Sequence, residues 1–277
     1  MDQRRITQIV SAIALHSSWG PQAKWICQPV LSCHSCALAW FACPIGVFVH
    51  FAGWHAFPYL ALGALGLVAV IGGRFVCGWV CPFGFFQDLL YKIPSRKFAL
   101  PAWSAYFKYA VLLGLVFAAP WFLGADTRVA FCTVCPAAAL EVALPAAIAS
   151  GFQDVAFWSA VKLSVLGGVI LLAIMSSRSF CKVFCPLGAF LAPFNLISFY
   201  ALKRPVSQCV GCQLCDNACA VGGQPSTRVL RGDSPSRALE CLYCQECVKS
   251  CAPGNKEKSR AARPDSPLRF PDDRNSP

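Results

Sequence analysis

Eight cysteines near the C-terminus carry the clearest chemistry in this chain. Cys209, Cys212, Cys215 and Cys219 follow a CxxCxxCxxxC spacing, and Cys241, Cys244, Cys247 and Cys251 repeat it. Three thiolates at this spacing can cap three irons of one cubane, while the fourth iron takes a thiolate from elsewhere. In two-cluster proteins with such runs, the fourth cysteine of each run serves the other cluster. The spacing therefore assigns Cys209, Cys212, Cys215 and Cys251 to one 4Fe–4S cluster, and Cys241, Cys244, Cys247 and Cys219 to a second. Zinc also accepts four thiolates, but it normally takes them from paired CxxC motifs rather than from two runs of four.

A second constellation is an internal repeat. Arg74-Phe75-Val76-Cys77-Gly78-Trp79-Val80-Cys81-Pro82-Phe83-Gly84 returns as Arg178-Ser179-Phe180-Cys181-Lys182-Val183-Phe184-Cys185-Pro186-Leu187-Gly188. Cysteines four apart share one face of a helix, and proline followed by glycine stops or kinks it. Two such helix ends can bring Cys77, Cys81, Cys181 and Cys185 together as four metal-binding thiolates. Cysteine used as a small buried hydrophobe explains single positions, not a duplicated RxxCxxxCPxG. Arg74 and Arg178 are expected either to snorkel to lipid headgroups or to set positive charge beside the thiolates, favouring a reduced cluster.

Six of the 18 cysteines remain: Cys27, Cys33, Cys36, Cys43, Cys132 and Cys135. Two readings compete for them. In an oxidising compartment, the CxxC pairs Cys33/Cys36 and Cys132/Cys135 would form structural or redox-active disulfides. Alternatively Cys36, Cys43, Cys132 and Cys135, or a set using Cys33, hold a further iron–sulfur cluster shielded by Phe41 and Phe131.

The elements that must position these groups are apolar. Of 277 residues 56% are hydrophobic and only 13% charged, with mean hydropathy +0.53. A soluble domain carries about twice that charge, so the composition points to an integral membrane protein. Phe57 to Val80, Tyr106 to Leu123 and Ala156 to Met175 each approach the roughly 20 residues a spanning helix needs. A weaker run, Ile6 to Ile26, is interrupted by His16, Ser17, Ser18, Gln22 and Lys24 and is read as a retained first span. Basic residues lie at Arg4 and Arg5, at Lys92, Arg96 and Lys97, and throughout the tail, where 14 Lys or Arg face 8 Asp or Glu from Arg178 onward. The positive-inside rule then gives four spans with both termini in the cytoplasm. It also puts the six remaining cysteines near the opposite face. Clusters on both faces would stand across a core about 30 Å thick, and a quinone or unseen cofactor would have to bridge them. The net charge of +11 is thus a matter of membrane topology rather than of nucleic-acid binding. No Walker loop, GxGxxG, nucleophile elbow or HExxH is present, so nucleotide, hydrolase and zinc-protease chemistry have no motif. No CxxCH haem motif occurs either.

With CxxxCP ending two spans and paired four-cysteine runs following, the chain resembles the membrane-bound ferredoxin-type proteins of the NapH, MauN and NosR kind, over roughly Phe57 to Pro253. Its tail resembles bacterial-type ferredoxins over about Lys203 to Pro253, although Ala220 and Ala252 stand where proline is usual and 220–240 reads as a polar insertion. The resemblance implies an α-helical transmembrane domain over 1–202, an α+β two-cluster ferredoxin domain over 203–253 and a basic disordered tail over 254–277. It further implies a quinol dehydrogenase or electron conduit in a bacterial cytoplasmic membrane. Such a protein passes electrons between the quinone pool or a cytoplasmic donor and a periplasmic redox partner. A redox maturation factor for a periplasmic metalloenzyme is the alternative. His16 is the candidate to bond a quinol headgroup, because neutral imidazole can accept its proton. A redox-sensing regulator would need an output domain, and none is legible.

Overall fold

The computed structural model describes residues 3–19, 22–152, 156–202, 209 and 211–251. The segment 254–277, expected to be disordered, lies outside the described residues. Two helices are long and apolar enough to cross a membrane, Ala102–Leu123 and Phe157–Met175. The first contains Pro120, and the turns just before it widen into a π-helix over Leu112–Ala118. Pro145 does the same in the shorter helix Pro136–Ala149, where the π-helical stretch is Ala139–Ala143. Proline removes one N–H and crowds the carbonyl four residues back, and a wider turn relieves both effects.

The other expected spans are broken. Within Phe57 to Val80 the helix Tyr59–Gly72 stops at Gly73, whose φ is +55°, and a second helix, Phe75–Trp79, follows. A Cβ on Gly73 would lie 2.3 Å from Asn195 Oδ1, so glycine is required there by both backbone and space. Ile6 to Ile26 is not a span. Gln3–Leu15 is a helix of 13 residues, and Ala23–Cys27 is a strand paired in parallel with Phe41–Ala42. Thirteen helical residues rise about 20 Å, short of the roughly 30 Å core. The polar run from His16 to Lys24 lacks the continuous apolar face that would carry the helix further.

A ten-residue helix, Pro44–Gly53, follows the strand pair. At the Gln3 end of the first helix, Arg4 meets Asp88 and Glu246; at the Gly53 end of this one, the backbone touches Ala125, just past Leu123. Phe48 ties this helix to the rest, its ring lying 5.8 Å from those of both Phe117 and Phe190. Small residues let the helices approach closely: Ala69, Val116 and Ala173 are fully buried. The outer faces are apolar, with Leu60, Leu67, Leu113, Phe122 and Leu171 all exposed. So wide an apolar surface marks a contact with lipid or protein rather than with water.

The C-terminal region folds as short helices, Leu214–Asn217, Pro225–Leu230 and Glu246–Ser250, linked by loops. Among its described residues there is no strand, which departs from the α+β expectation. The segments flanking the cysteine runs, 203–208 and 252–277, lie outside the described residues.

Candidate metal centre

The two RxxCxxxCPxG copies meet as a crossed pair. Cys77, Cys81, Cys181 and Cys185 are all buried, and Cys185 lies within charge-coupling range of the other three. Each arginine reaches across to the other copy. Arg74 Nη2 donates to the Cys181 carbonyl at 3.0 Å, and Arg178 Nη1 donates to the Cys77 carbonyl at 2.7 Å. The motif glycines make room for them, since a Cβ on Gly84 would sit 2.3 Å from Arg178 Nη1 and one on Gly188 3.0 Å from Arg74 Nη2. Cys81 and Cys185 are the residues before proline-started helices, with φ/ψ of −64°/117° and −72°/110°. That placement turns backbone N–H groups onto sulfur: Gly188 N lies 3.4 Å from Cys185 Sγ. Gln87 Nε2 adds a donor 3.1 Å from Cys181 Sγ.

Neither arginine reaches lipid. Both are fully buried, contrary to the snorkelling expectation. Arg178 is held by Asp88 through contacts of 2.6 Å to each carboxylate oxygen. Arg74 pairs with Glu240 at 2.8 Å, and Lys108, also fully buried, pairs with the same carboxylate. Burial works against ionisation of Asp88, but the Arg178 guanidinium and then Arg4 hold its carboxyl below the usual range. Glu240 is likewise held low, with Arg74 and Lys108 outweighing its burial.

The two tail runs assemble in the crossed pattern that their spacing requires. Cys251 is charge-coupled to Cys209 and Cys212, and Cys215 to Cys251 and Cys209. Cys219, Cys241, Cys244 and Cys247 line one small cavity walled by Leu202, Val221 and Leu242. Gly223 N donates to Cys219 Sγ at 3.1 Å, and Tyr243 N to Cys241 Sγ at 3.4 Å. Burial pushes the thiols of Cys241 and Cys247 up to about 12, so at neutral pH they are protonated until a metal displaces the proton. Among the described residues, no three His, Cys, Asp or Glu groups close tightly enough to hold a single ion. Tetrahedral zinc would draw its thiolates to within about 4 Å of one another. Four thiols lining one apolar-walled cavity are a donor set that fits an iron–sulfur cluster, which would supply one-electron chemistry when bound.

These sites are adjacent. A Cβ on Gly78, between Cys77 and Cys81, would lie 2.0 Å from the Leu242 carbonyl, between Cys241 and Cys244. Trp79 Nε1 donates to the Tyr243 carbonyl at 2.8 Å, and Asn195 Nδ2 to the Cys241 carbonyl at 2.8 Å. Cys215 couples to Cys247, joining the two tail sites.

A third set, Cys33, Cys43, Cys132 and Cys135, lines one cavity together with His34 and Lys162. Cys36 is buried outside it and Cys27 lies on the strand Ala23–Cys27. All 18 cysteines are free thiols. This set does not stand across a full membrane core from the repeat. The backbone of Leu31 is within hydrogen-bonding reach of the Cys81 sulfur, and Cys33 follows two residues later, at most roughly 7 Å of chain. His16 is no free quinol ligand. Its Nδ1 contacts the Ala12 carbonyl at 3.0 Å, and its Nε2 lies 3.2 Å from Ser32 Oγ and 3.5 Å from Glu141.

Asp88, Glu240, Lys108, Gln87 and Asn195 are the residues sequence reasoning missed. Lys108 inside an apolar run carried a readable signal, because a charge there needs a partner. The others reveal themselves only by what they touch.

The family described as a 4Fe-4S binding domain matches residues 54–101 and 156–204. Those stretches hold the two arginine–cysteine copies rather than the tail runs. Among relatives, the uncharacterized protein MJ0750 of Methanocaldococcus jannaschii is 32% identical over 163 residues, covering 55% of this chain and 61% of its own. The methylamine utilization ferredoxin-type protein MauN of Methylorubrum extorquens is 27% identical over 176 residues, 59% of this chain and 56% of its own. The chain is similar to ferredoxin-type proteins of the MauN and NosR kind. The regulatory protein NosR of Pseudomonas aeruginosa is 29% identical over 163 residues, 55% of this chain but 21% of its own. The chain thus spans less than two thirds of each of these relatives. No solved structure matches it.

Proposed function

We propose that this protein moves single electrons through a membrane along a row of iron–sulfur sites. The supporting observation is contact between neighbouring thiol sets, with Gly78 against Leu242 joining the repeat to the tail. Its relatives include a protein named as ferredoxin-type, which agrees with electron carriage. In this reading Cys77, Cys81, Cys181 and Cys185 hold one cluster, and the tail runs hold two more. Arg74 and Arg178 keep positive charge beside the thiolates, which favours the reduced form. The N–H groups of Gln87, Gly188, Gly223 and Tyr243 act in the same direction by bonding sulfur.

Four crossings suit the basic loops, with the first built from two half-helices, Gln3–Leu15 and Pro44–Gly53, of 13 and 10 residues. Together they rise about 35 Å, enough for the core. Both termini then face the cytoplasm, with a cytoplasmic donor or the quinone pool on one side and a redox partner on the other. The test uses the full chain in sealed vesicles, with dithionite outside and ferricyanide inside. Ferricyanide should bleach faster than in empty vesicles, and Cys77→Ala should return the rate to leakage. Bleaching equal to leakage for the unaltered chain would sink the proposal.

A further inference from the structure

Cys33, Cys43, Cys132 and Cys135 take no part in the arginine–cysteine repeat, yet their surroundings copy its construction. Cys43 and Cys135 each precede a proline-started helix with φ/ψ of −73°/123° and −67°/121°. Those angles lie within a few degrees of Cys81 and Cys185. Cys43-Pro44-Ile45-Gly46 also repeats the CPxG of the other copies. Its glycine is needed for the same reason: a Cβ on Gly46 would lie 2.7 Å from His34 Nδ1, where Gly84 and Gly188 are filled by arginine. The half-buried Cys33 and Cys132 supply the remaining two thiols, and Phe131 and Ala138 give the cavity apolar walls.

We propose that Cys33, Cys43, Cys132 and Cys135 hold a 4Fe–4S cluster, a fourth site in line with the other three. It sits at the break between the two half-helices of the first crossing, about 15 Å of helix from the Gly53 end. Irregular backbone at that depth is tolerated where protein surrounds it, and the turn from Cys33 to Cys36 lies in such a place, with Cys36 N bonded to the Cys33 carbonyl at 3.1 Å. Lys162 lines the same cavity, and its charge acts on both Cys33 and Cys132. It offsets part of the negative charge that four thiolates would bring. Cys27 and Cys36 are not ligands. The site deepens the electron-path reading, supplying its terminus toward the far face.

The experiment measures iron and acid-labile sulfide on the full chain purified anaerobically in detergent. Unaltered protein should carry about 16 iron, and Cys43→Ala or Cys135→Ala about 12. Cys132→Ala, at a half-buried position, guards against a folding failure at the buried ones and should lose the same amount. Cys36→Ala and Cys27→Ala should lose none. Unchanged iron in the Cys43, Cys132 and Cys135 variants would overturn the site, as would a disulfide joining any of the four in the unaltered protein. An unaltered content of about 12 that Cys77→Ala lowers to about 8 would remove this site and leave the shorter path standing. About 8 in the unaltered chain, unmoved by Cys77→Ala, would remove the path itself.

Discussion

The two copies of RxxCxxxCPxG are built alike and used differently. Each gives two thiols, a glycine and an arginine that clasps the other copy. Of the matched positions at which they differ, three set their partners. Gly78 corresponds to Lys182, Gln87 to Leu191 and Asp88 to Ala192. In the first copy Gly78 leaves its surface open to the Leu242 carbonyl; in the second, Lys182 turns away and bonds the Leu100 carbonyl at 2.8 Å. Arg178 finds its carboxylate in the first copy, at Asp88. Arg74 finds no carboxylate in the second, where Ala192 stands, and takes Glu240 from the tail instead. The symmetric part gathers the four thiols, and the asymmetric part decides which side receives the tail cysteine runs.

The largest way to break this comparison is Asp88→Ala. It strands a fully buried guanidinium, a loss of about 3–5 kcal/mol, readable as thermal unfolding in detergent. Glu240→Gln should cost about as much, because it leaves both Arg74 and the fully buried Lys108 without a carboxylate. Its signature is faster amide exchange over residues 236–251 with the apolar helices unchanged. If neither variant loosens the tail, the asymmetry carries no docking role. Both carboxyls titrate below their ordinary values in the folded chain. Their contribution is therefore complete above the unfolded value of about 4 and is lost as pH falls through the folded one. Asp88→Asn should flatten that acid limb in a stability titration.

Gly78→Ala comes next, at about 1–3 kcal/mol of overpacking. The strain falls on the contact with Leu242, so exchange there should rise and transfer between repeat and tail should slow. Lys182→Gly, the matched change in the other copy, should leave that contact intact. The smallest effect sharpens rather than breaks. Gln87→Leu makes the first copy match Leu191 and removes the donor on Cys181 Sγ. The potential of that centre should move negative in an EPR-monitored redox titration, with the tail centres unmoved.

The sequence by itself determined the thiol inventory and much of its grouping. The CxxCxxCxxxC runs dictate their crossed sharing because a short loop can reach only three corners of a cubane. The duplicated arginine motif announced a four-thiol site because two like segments can pack as a pair. Composition and apolar runs fixed where two long helices lie, Ala102–Leu123 and Phe157–Met175. Tertiary structure decided the rest, and always for a reason of distance along the chain. Hydropathy averages over a window, so it merged a 13-residue helix and a strand, Ile6 to Ile26, into one span. Arg74 and Arg178 looked like headgroup anchors because their partners, Glu240 and Asp88, lie 166 and 90 residues away. Ligand choice among Cys33, Cys36 and Cys43 was open in the sequence, since loop spacing does not say which thiol turns inward. The fold lines one cavity with Cys33, Cys43, Cys132 and Cys135 and leaves Cys36 outside it.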